Sequence, residues 1–381
     1  MGMSDTVDVN VDGIFDDIEA ETRSDKLLQE RESALRRQEI AEWKRLLAAK
    51  QKRDDYLKVI ADHAPLLNVP SLAKNAIRTT SDPHTWVLIL SDIHVGQKTE
   101  IAATGGLYEQ STEITWLQFK ILWNKLVELY AYNPDVTELV ILKLGDIVEG
   151  DGMRVSQAHG IDSLVTLQTI NATDMLSWFY QQAMTMFKVR VLSVGGNHDR
   201  TSQKAGNAGL GENGYIDTFS WLQDAFLERL FTKAIANDRI RMTNHDTFYG
   251  AAKIAGQRFV YEHGASFRAG TGSYGGVGYY GITAAASRYQ EMLDGADIIA
   301  FGHYHQSAVL PIKGGWGWQV LNGAFPPSTE WVQSSFKKVG RPSQTLLKMH
   351  PRTGLVSWQP IYLDTEHQVK PGEFWDTIEA D

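Results

Sequence analysis

Residues 86–94 read Trp-Val-Leu-Ile-Leu-Ser-Asp-Ile-His: five apolar residues, then a polar ending with one carboxylate and one imidazole. The apolar run predicts a buried strand, because it is short and rich in branched side chains. Asp92 and His94 stand two apart. At that spacing a strand turns both side chains to one face, so the pair can reach one ion together. Alone, an Asp-x-His reads as a surface loop. Four further stretches change that reading: Gly145-Asp146 after Leu139–Leu144, Gly196-Asn197-His198-Asp199 after Val189–Val194, Glu262-His263-Gly264 after Arg258–Tyr261, and Gly302-His303-Tyr304-His305 after Ile298–Phe301. Each follows a strand-like run, and α/β sheets bind ligands at the carboxyl ends of their strands. Oxygen and imidazole donors without thiolates suit hard or borderline divalent ions: Mn first, with Fe, Zn or Mg as alternatives.

The individual residues carry different expectations. His303 and His305 repeat the two-apart spacing of Asp92 and His94. Asp146 ends a buried strand, either as a helix cap or as a carboxylate bridging two ions, and its company favours the bridge. Asn197 offers a neutral carbonyl oxygen, with Gly195 and Gly196 allowing a tight turn before it. His263 ends an alternating strand; by itself it would be a hydrogen-bonded edge histidine. His198 is kept apart from the metals. Asp199 beside it is expected to orient its ring or hold it protonated, which makes the two a catalytic pair for a general acid or a transition-state cation.

In order and spacing these blocks resemble the calcineurin-like metallophosphoesterase superfamily, whose D-x-H, G-D, G-N-H-[DE], H and G-H-x-H motifs are matched across residues 86–325. The resemblance implies a four-layer α/β/β/α sandwich. It implies one ion held by Asp92, His94, Asp146 and His305, and a second held by Asp146, Asn197, His263 and His303. Asn322-Gly323-Ala324 is similar to the family's small-residue turn behind the metals. The chemistry expected is direct in-line attack on phosphorus by a hydroxide bridging the ions, with His198 and Asp199 serving the leaving alkoxide.

Within the superfamily, Gly145-Asp-Ile-Val-Glu-Gly150 lacks the aspartate-arginine-glycine ending of protein serine/threonine phosphatases. The Ser-Asp-Ile-His-Val-Gly and Gly-Asn-His-Asp blocks are similar to repair nucleases of the SbcD type and to the exonuclease subunit of archaeal family D DNA polymerase. The expected activity is a phosphodiesterase acting on DNA. The alternative is a nucleotide or cyclic-nucleotide phosphoesterase, ahead of a protein phosphatase or a non-catalytic scaffold. Arg154, Arg200, Lys204 and Arg268 follow metal motifs and are candidates for phosphate contacts. Tyr274, Tyr279, Tyr280 and Trp331 are candidates for base stacking.

Composition sets the outer limits. A chain of 381 residues, 43% hydrophobic, suffices for one large domain plus an appendage. The absence of cysteine excludes disulfides and thiolate zinc sites and fits a reducing compartment. No apolar run reaches the roughly 20 residues of a membrane span, and the acidic start does not read as a signal peptide. A soluble cytoplasmic protein without membrane contact is expected. The net charge of -9 leaves room for a local basic groove.

Residues 1–25 predict an acidic disordered lead-in. Residues 26–84 predict a helical extension and linker, with 26–58 helical and free of glycine and proline. Leu28, Leu35, Ile40, Trp43 and Leu47 give it a partial apolar stripe, read as one edge of a solvated helix, with a DNA-tracking or protein-docking arm as the alternative. The catalytic domain is expected over 85–365 and a tail over 366–381. Helices are expected at Trp116–Tyr132, Ile170–Phe187 and Tyr215–Ala236. The glycine-rich tracts 206–214 and 264–281 predict loops at the site rim.

Overall fold

The computed structural model describes residues 77–369, apart from 153–154, 202–211, 267–276, 313 and 316, together with Ser33, Arg36, Arg37, Ile40 and Lys44. The chain divides into two units, Met1–Ala64 and Pro65–Asp381. In the first unit the five described residues are helical, and Arg37 Nε donates to the Ser33 carbonyl at 3.1 Å. The acidic lead-in and most of the 26–84 extension lie outside the described residues.

The second unit is built on two sheets. One has the order β11-β10-β1-β2-β3-β4, from Gly354–Tyr362 (β11), Ser343–His350 (β10), His84–Leu90 (β1), Val136–Leu144 (β2), Lys188–Val194 (β3) and Ile240–Asn244 (β4). Strands β1 to β4 run parallel, and β10 and β11 extend the β1 side antiparallel. The other sheet has the order β5-β6-β7-β9-β8: Tyr249–Ile254 (β5), Gln257–Glu262 (β6), Ile298–Phe301 (β7), Trp318–Leu321 (β9) and Ala308–Pro311 (β8). Here β6, β7 and β9 are parallel.

From Trp86 to Leu90 strand β1 is apolar at every position because both its faces are buried. Val87 and Ile89 point between the sheets, where they meet Val140, Leu142, Leu192, Tyr261 and Ala300. Trp86, Leu88 and Leu90 point outward, under helices. Those helices are α1 (Thr112–Ala131), α2 (Val165–Met186) and α3 (Phe219–Leu230), followed by the short α4 (Thr232–Ala236). On α1, Phe119, Leu122, Leu126 and Tyr130 recur every three or four residues and form its buried stripe. Its first turn is capped by Ser111, whose side chain accepts from Ile114 N. On the far side α5 (Tyr279–Met292) lays Ile282, Ala286 and Tyr289 over Val260, Ile299, Phe301 and Leu321. Last comes α6 (Glu330–Phe336). Helix, sheet, sheet, helix is the expected four-layer order, and removing one of its buried leucines should cost about 2–5 kcal/mol.

Some boundaries differ from expectation. The helix predicted over Tyr215–Ala236 is two: a 3-10 turn occupies Glu212–Tyr215, Thr218 caps α3, and the chain breaks at Phe231. The 264–281 tract is not loop throughout, since α5 begins at Tyr279. The expected tail begins at 366, and most of it lies outside the described residues. Glu109 N donates to His367 O at 3.1 Å and Val369 N to Leu107 O at 2.9 Å, so backbone pairing continues past the predicted boundary. At the other end Arg78 lays its guanidinium 4.0 Å from the Tyr130 ring centroid. Among the described residues no helix is long and apolar enough to cross a membrane.

Candidate metal centre

The five motif loops leave the carboxyl ends of β1, β2, β3, β6 and β7 and converge. The backbone at their tips is unusual. Asp92, His94, Asp146, His303 and His305 all have positive φ, between 50° and 67°. A side chain in that region costs on the order of 1–3 kcal/mol and persists only where its surroundings enforce it. The enforcement is visible. Asp92 O accepts from Phe325 N at 3.0 Å, and Asp146 O accepts from Ile93 N and His94 N at 2.9 and 3.1 Å. Gly145 and Gly196 let two loops touch backbone to backbone. A Cβ on Gly196 would lie 2.2 Å from Asp146 N, and one on Gly145 would lie 2.2 Å from Gly196 N.

The side chains gather in two groups. In the first, donor atoms of Asp92, His94 and His305 lie within 4.8 Å of one another. His305 Nε2 is 3.3 Å from Asp92 Oδ1 and 3.3 Å from His94 Nε2. In the second, Asp146, His263 and His303 meet the same limit. His263 Nε2 lies 3.0 Å from Asp146 Oδ2 and 2.9 Å from Asn197 Oδ1. Asp146 is the link, because its Oδ2 is also 4.0 Å from His94 Nε2. All seven residues singled out as ligands from the sequence are thus brought together. Behind Asp92, Ser91 and Asn322 form a buried network: Asn322 Nδ2 donates to Ser91 Oγ and Gln344 Oε1, both at 2.9 Å.

His198 is brought beside this cluster, its ring centroid 4.7 Å from that of His94. Its expected partnership with Asp199 is not what the structure has. Asp199 turns away from the ring and accepts from four backbone N–H groups: Asp146 and Gly196 at 2.8 and 2.9 Å, Ile147 and Val148 at 2.8 and 3.2 Å. Asp199 ties the two metal loops together. The partner of His198 is Glu149, a residue the sequence reading quoted but did not assign. His198 Nδ1 donates to the Glu149 carbonyl at 2.8 Å and lies 3.5 Å from its Oε2, which also stands 2.7 Å from His94 Nδ1. Gln157 Nε2 holds Glu149 in place through Oε1 at 2.9 Å.

Electrostatics follow from this packing. Burial pulls the His198 imidazole down, but the carboxylates of Glu149 and Asp146 outweigh it and push the group up to about 10. Burial raises Glu149 and Asp146, yet their imidazole neighbours hold both well below the usual carboxylate range. His303 goes the other way, to about 3, through burial and the neighbouring His263. A neutral imidazole is what a metal ligand requires.

The donor set fits divalent ions: two buried carboxylates, one amide oxygen and four imidazoles, with ring nitrogens of His94 and His305 facing each other. Asp92, His94, Asp146 and His305 would hold one ion, and Asp146, Asn197, His263 and His303 a second.

The rim is less complete. Arg154, Lys204, Arg268 and Tyr274 lie outside the described residues, and Tyr280 stands 85% exposed on α5. Arg200 lines a cavity of about 60 Å³ with Asn197, Tyr215, Phe248, Glu262 and His263, and its buried Nε has no hydrogen-bond partner among the described residues. On the opposite side Lys338 is a cation that the sequence reading missed. Its Nζ donates to Tyr304 O at 2.7 Å, and its charge acts on Asp92 and His305. It follows α6, far along the chain from any motif, so no local signal marks it.

Comparison with known proteins gives one family. Residues 85–307 match the calcineurin-like phosphoesterase family. Vps29 from Entamoeba histolytica, solved with zinc, is 13% identical at a TM-score of 0.32, covering 73% of this chain and 99% of Vps29. An archaeal phosphodiesterase is 10% identical at 0.32, with the same coverage. An uncharacterised phosphoesterase-like protein from Streptococcus pneumoniae is 12% identical at 0.29, covering 76% of this chain and 94% of its own. Among curated proteins there is no match.

Proposed function

The chain belongs to the calcineurin-like phosphoesterase family and is a metal-dependent phosphoester hydrolase, and we propose that its substrate is the phosphodiester backbone of DNA, which it cuts as a nuclease. The observation that carries this reading is the placement of cations. Lys338 stands on the Asp92/His305 side and Arg200 on the Asn197/His263 side. A lone phosphate monoester would call for cations gathered at one point. A strand crossing the centre needs them at both ends, where they contact flanking phosphates.

Two divalent ions, manganese in the first instance, would supply Lewis acidity toward water and the phosphoryl oxygens. The chain's own residues do the rest. Because the Glu149 carbonyl accepts from His198 Nδ1, the second proton of the imidazolium sits on Nε2. From there it serves the leaving alkoxide as acid or as fixed charge. Glu149 keeps that proton in place, and Asp199 keeps the loops of Asp146 and Asn197 in register.

The test is an Mn2+ assay on end-labelled single-stranded and duplex DNA, cyclic nucleotides, bis-p-nitrophenyl phosphate and p-nitrophenyl phosphate. DNA cleavage whose KM rises in Arg200→Ala and Lys338→Met, with bis-p-nitrophenyl phosphate turnover little changed, supports the proposal. A second reading, a nucleotide or cyclic-nucleotide phosphoesterase, is favoured by the small cavity beside Asn197, where Tyr215 and Phe248 pair at 5.8 Å. Turnover of cyclic nucleotides without any DNA cleavage would select it.

A further inference from the structure

A second group of metal-type donors lies at the opposite end of β1 from Asp92. His84 opens β1, and His350 closes β10. The register that pairs Thr85 with Met349 sets these two histidines directly across from each other, with ring centroids 4.8 Å apart. Asp82 lies two residues before His84, and its Oδ1 is 2.9 Å from His350 Nε2. Asp135, just ahead of β2, places Oδ2 2.8 Å from His84 Nδ1. Donor atoms of Asp82, His84 and His350 lie within 4.8 Å of one another.

We propose that Asp82, His84 and His350 form a zinc-binding site that clamps the start of β1 to the end of β10, with Asp135 standing behind His84 as the partner of its Nδ1–H. Two imidazoles and one carboxylate without a thiolate make a borderline donor set for which zinc is well suited, and three protein ligands leave one tetrahedral position for water. With bonds of about 2.0–2.1 Å, ligands on a tetrahedral zinc stand about 3.3–3.4 Å apart. The present Asp82–His350 contact of 2.9 Å therefore needs to open by only a few tenths of an ångström. Behind the His350 ring, Nδ1 is met by Thr353 Oγ1 at 3.1 Å and by the amides of Thr353 and Arg352 at 3.3 and 3.4 Å, so zinc at Nε2 requires the ring proton to move from Nε2 to Nδ1, where Thr353 Oγ1 accepts it. Both histidines are well covered, at 13% and 7% side-chain exposure, and they stand on sheet strands rather than on free loops.

The competing arrangement is a set of ion pairs. Lys348 Nζ lies 2.7 Å from Asp135 Oδ2, and Arg352 reaches Asp82 at 3.5 Å. Zinc must displace Arg352 from Asp82, and the measurement decides between the two.

The full-length chain, stripped with chelator, is dialysed to equilibrium against Zn2+, and bound zinc is counted by mass spectrometry. The expected result is one zinc per chain more in the wild type than in His350→Gln. Asp82→Asn, a near-isosteric change at a position 57% exposed, should weaken that extra ion by at least the roughly 10–100-fold that an outer partner costs. Mn2+-dependent hydrolysis of bis-p-nitrophenyl phosphate should be unaltered in both variants, since neither touches the catalytic centre. Zinc should also raise the melting temperature of the wild type more than that of Asp82→Asn. Equal zinc content and equal thermal shifts in wild type and Asp82→Asn would overturn the site and leave the ion-pair network in its place.

Discussion

Glu149 Oε2 lies 2.7 Å from His94 Nδ1, and that contact connects a proposed metal ligand to the proposed proton donor, because the same oxygen stands 3.5 Å from His198 Nδ1. Glu149→Gln keeps the shape and removes the charge. It should lower metal affinity or kcat by about 10–100-fold, the usual cost of losing a partner behind a ligating histidine. Manganese titration of bis-p-nitrophenyl phosphate hydrolysis measures both. An unchanged titration curve and rate would make the contact incidental.

Asp146→Asn should abolish turnover and release both ions, since Asp146 stands in reach of His94 and His263 alike. Metal counting separates this from loss of fold. A variant that keeps two ions and near-normal hydrolysis would refute the bridging role.

His198→Ala should leave metal content near that of the wild type while the rate falls about 10²–10⁴-fold, the range for a positioned acid-base group. Loss of metal instead would make His198 a ligand.

Acid should weaken the metal-free protein partly through Glu149. Its folded pKa lies below the usual 4.5, because the His198 and His94 contacts outweigh burial. A lowered carboxylate contributes stability that is present above its unfolded pKa and lost as pH falls toward its folded one. The stability of metal-free wild type should therefore drop below about pH 4.5 more steeply than that of Glu149→Gln. Parallel curves from urea melts would contradict it.

His305→Gly should be more stable than His305→Ala in the metal-free state, by about 1 kcal/mol, because glycine accepts a φ of 53° without a Cβ clash. Both variants lose the same imidazole, so the comparison isolates the backbone. Equal melting temperatures would mean that the left-handed turn is unstrained.

What could be read in the chain follows burial. Trp86–Leu90 of β1, Leu139–Leu142 of β2 and all of β7 are buried and continuously apolar, and they announce both the strand and the ligand beyond it. Strand β4 alternates between buried and covered or exposed positions and yields no such run, while β8 is apolar but short, half-covered and ends in proline. The ligands were legible because each lies within a few residues of its strand. The partner of His198 was not. Adjacency in sequence suggested Asp199, but neighbouring side chains leave the backbone in different directions, and Asp199 turns to the amides of Asp146 to Val148. Glu149 and Lys338 act through space. The Asp82, His84 and His350 group comes from two distant segments that the β1–β10 pairing unites.

The abutting backbones of Gly145 and Gly196 also bear on redesign. Because these loops meet through main-chain atoms and are tied by the Asp199 carboxylate, the position from which Asn197 projects is held apart from its own side chain, whereas the Asp146 carboxylate itself holds the facing loop by accepting from His198 N at 2.8 Å. Ion preference should therefore be adjustable by exchanging donors, for instance Asn197→Asp or Asn197→His, with the scaffold unmoved. The reverse does not hold. A single methyl group at Gly145 would meet Gly196 N at 2.2 Å and wedge the loops apart, dismantling the centre while every donor is still present.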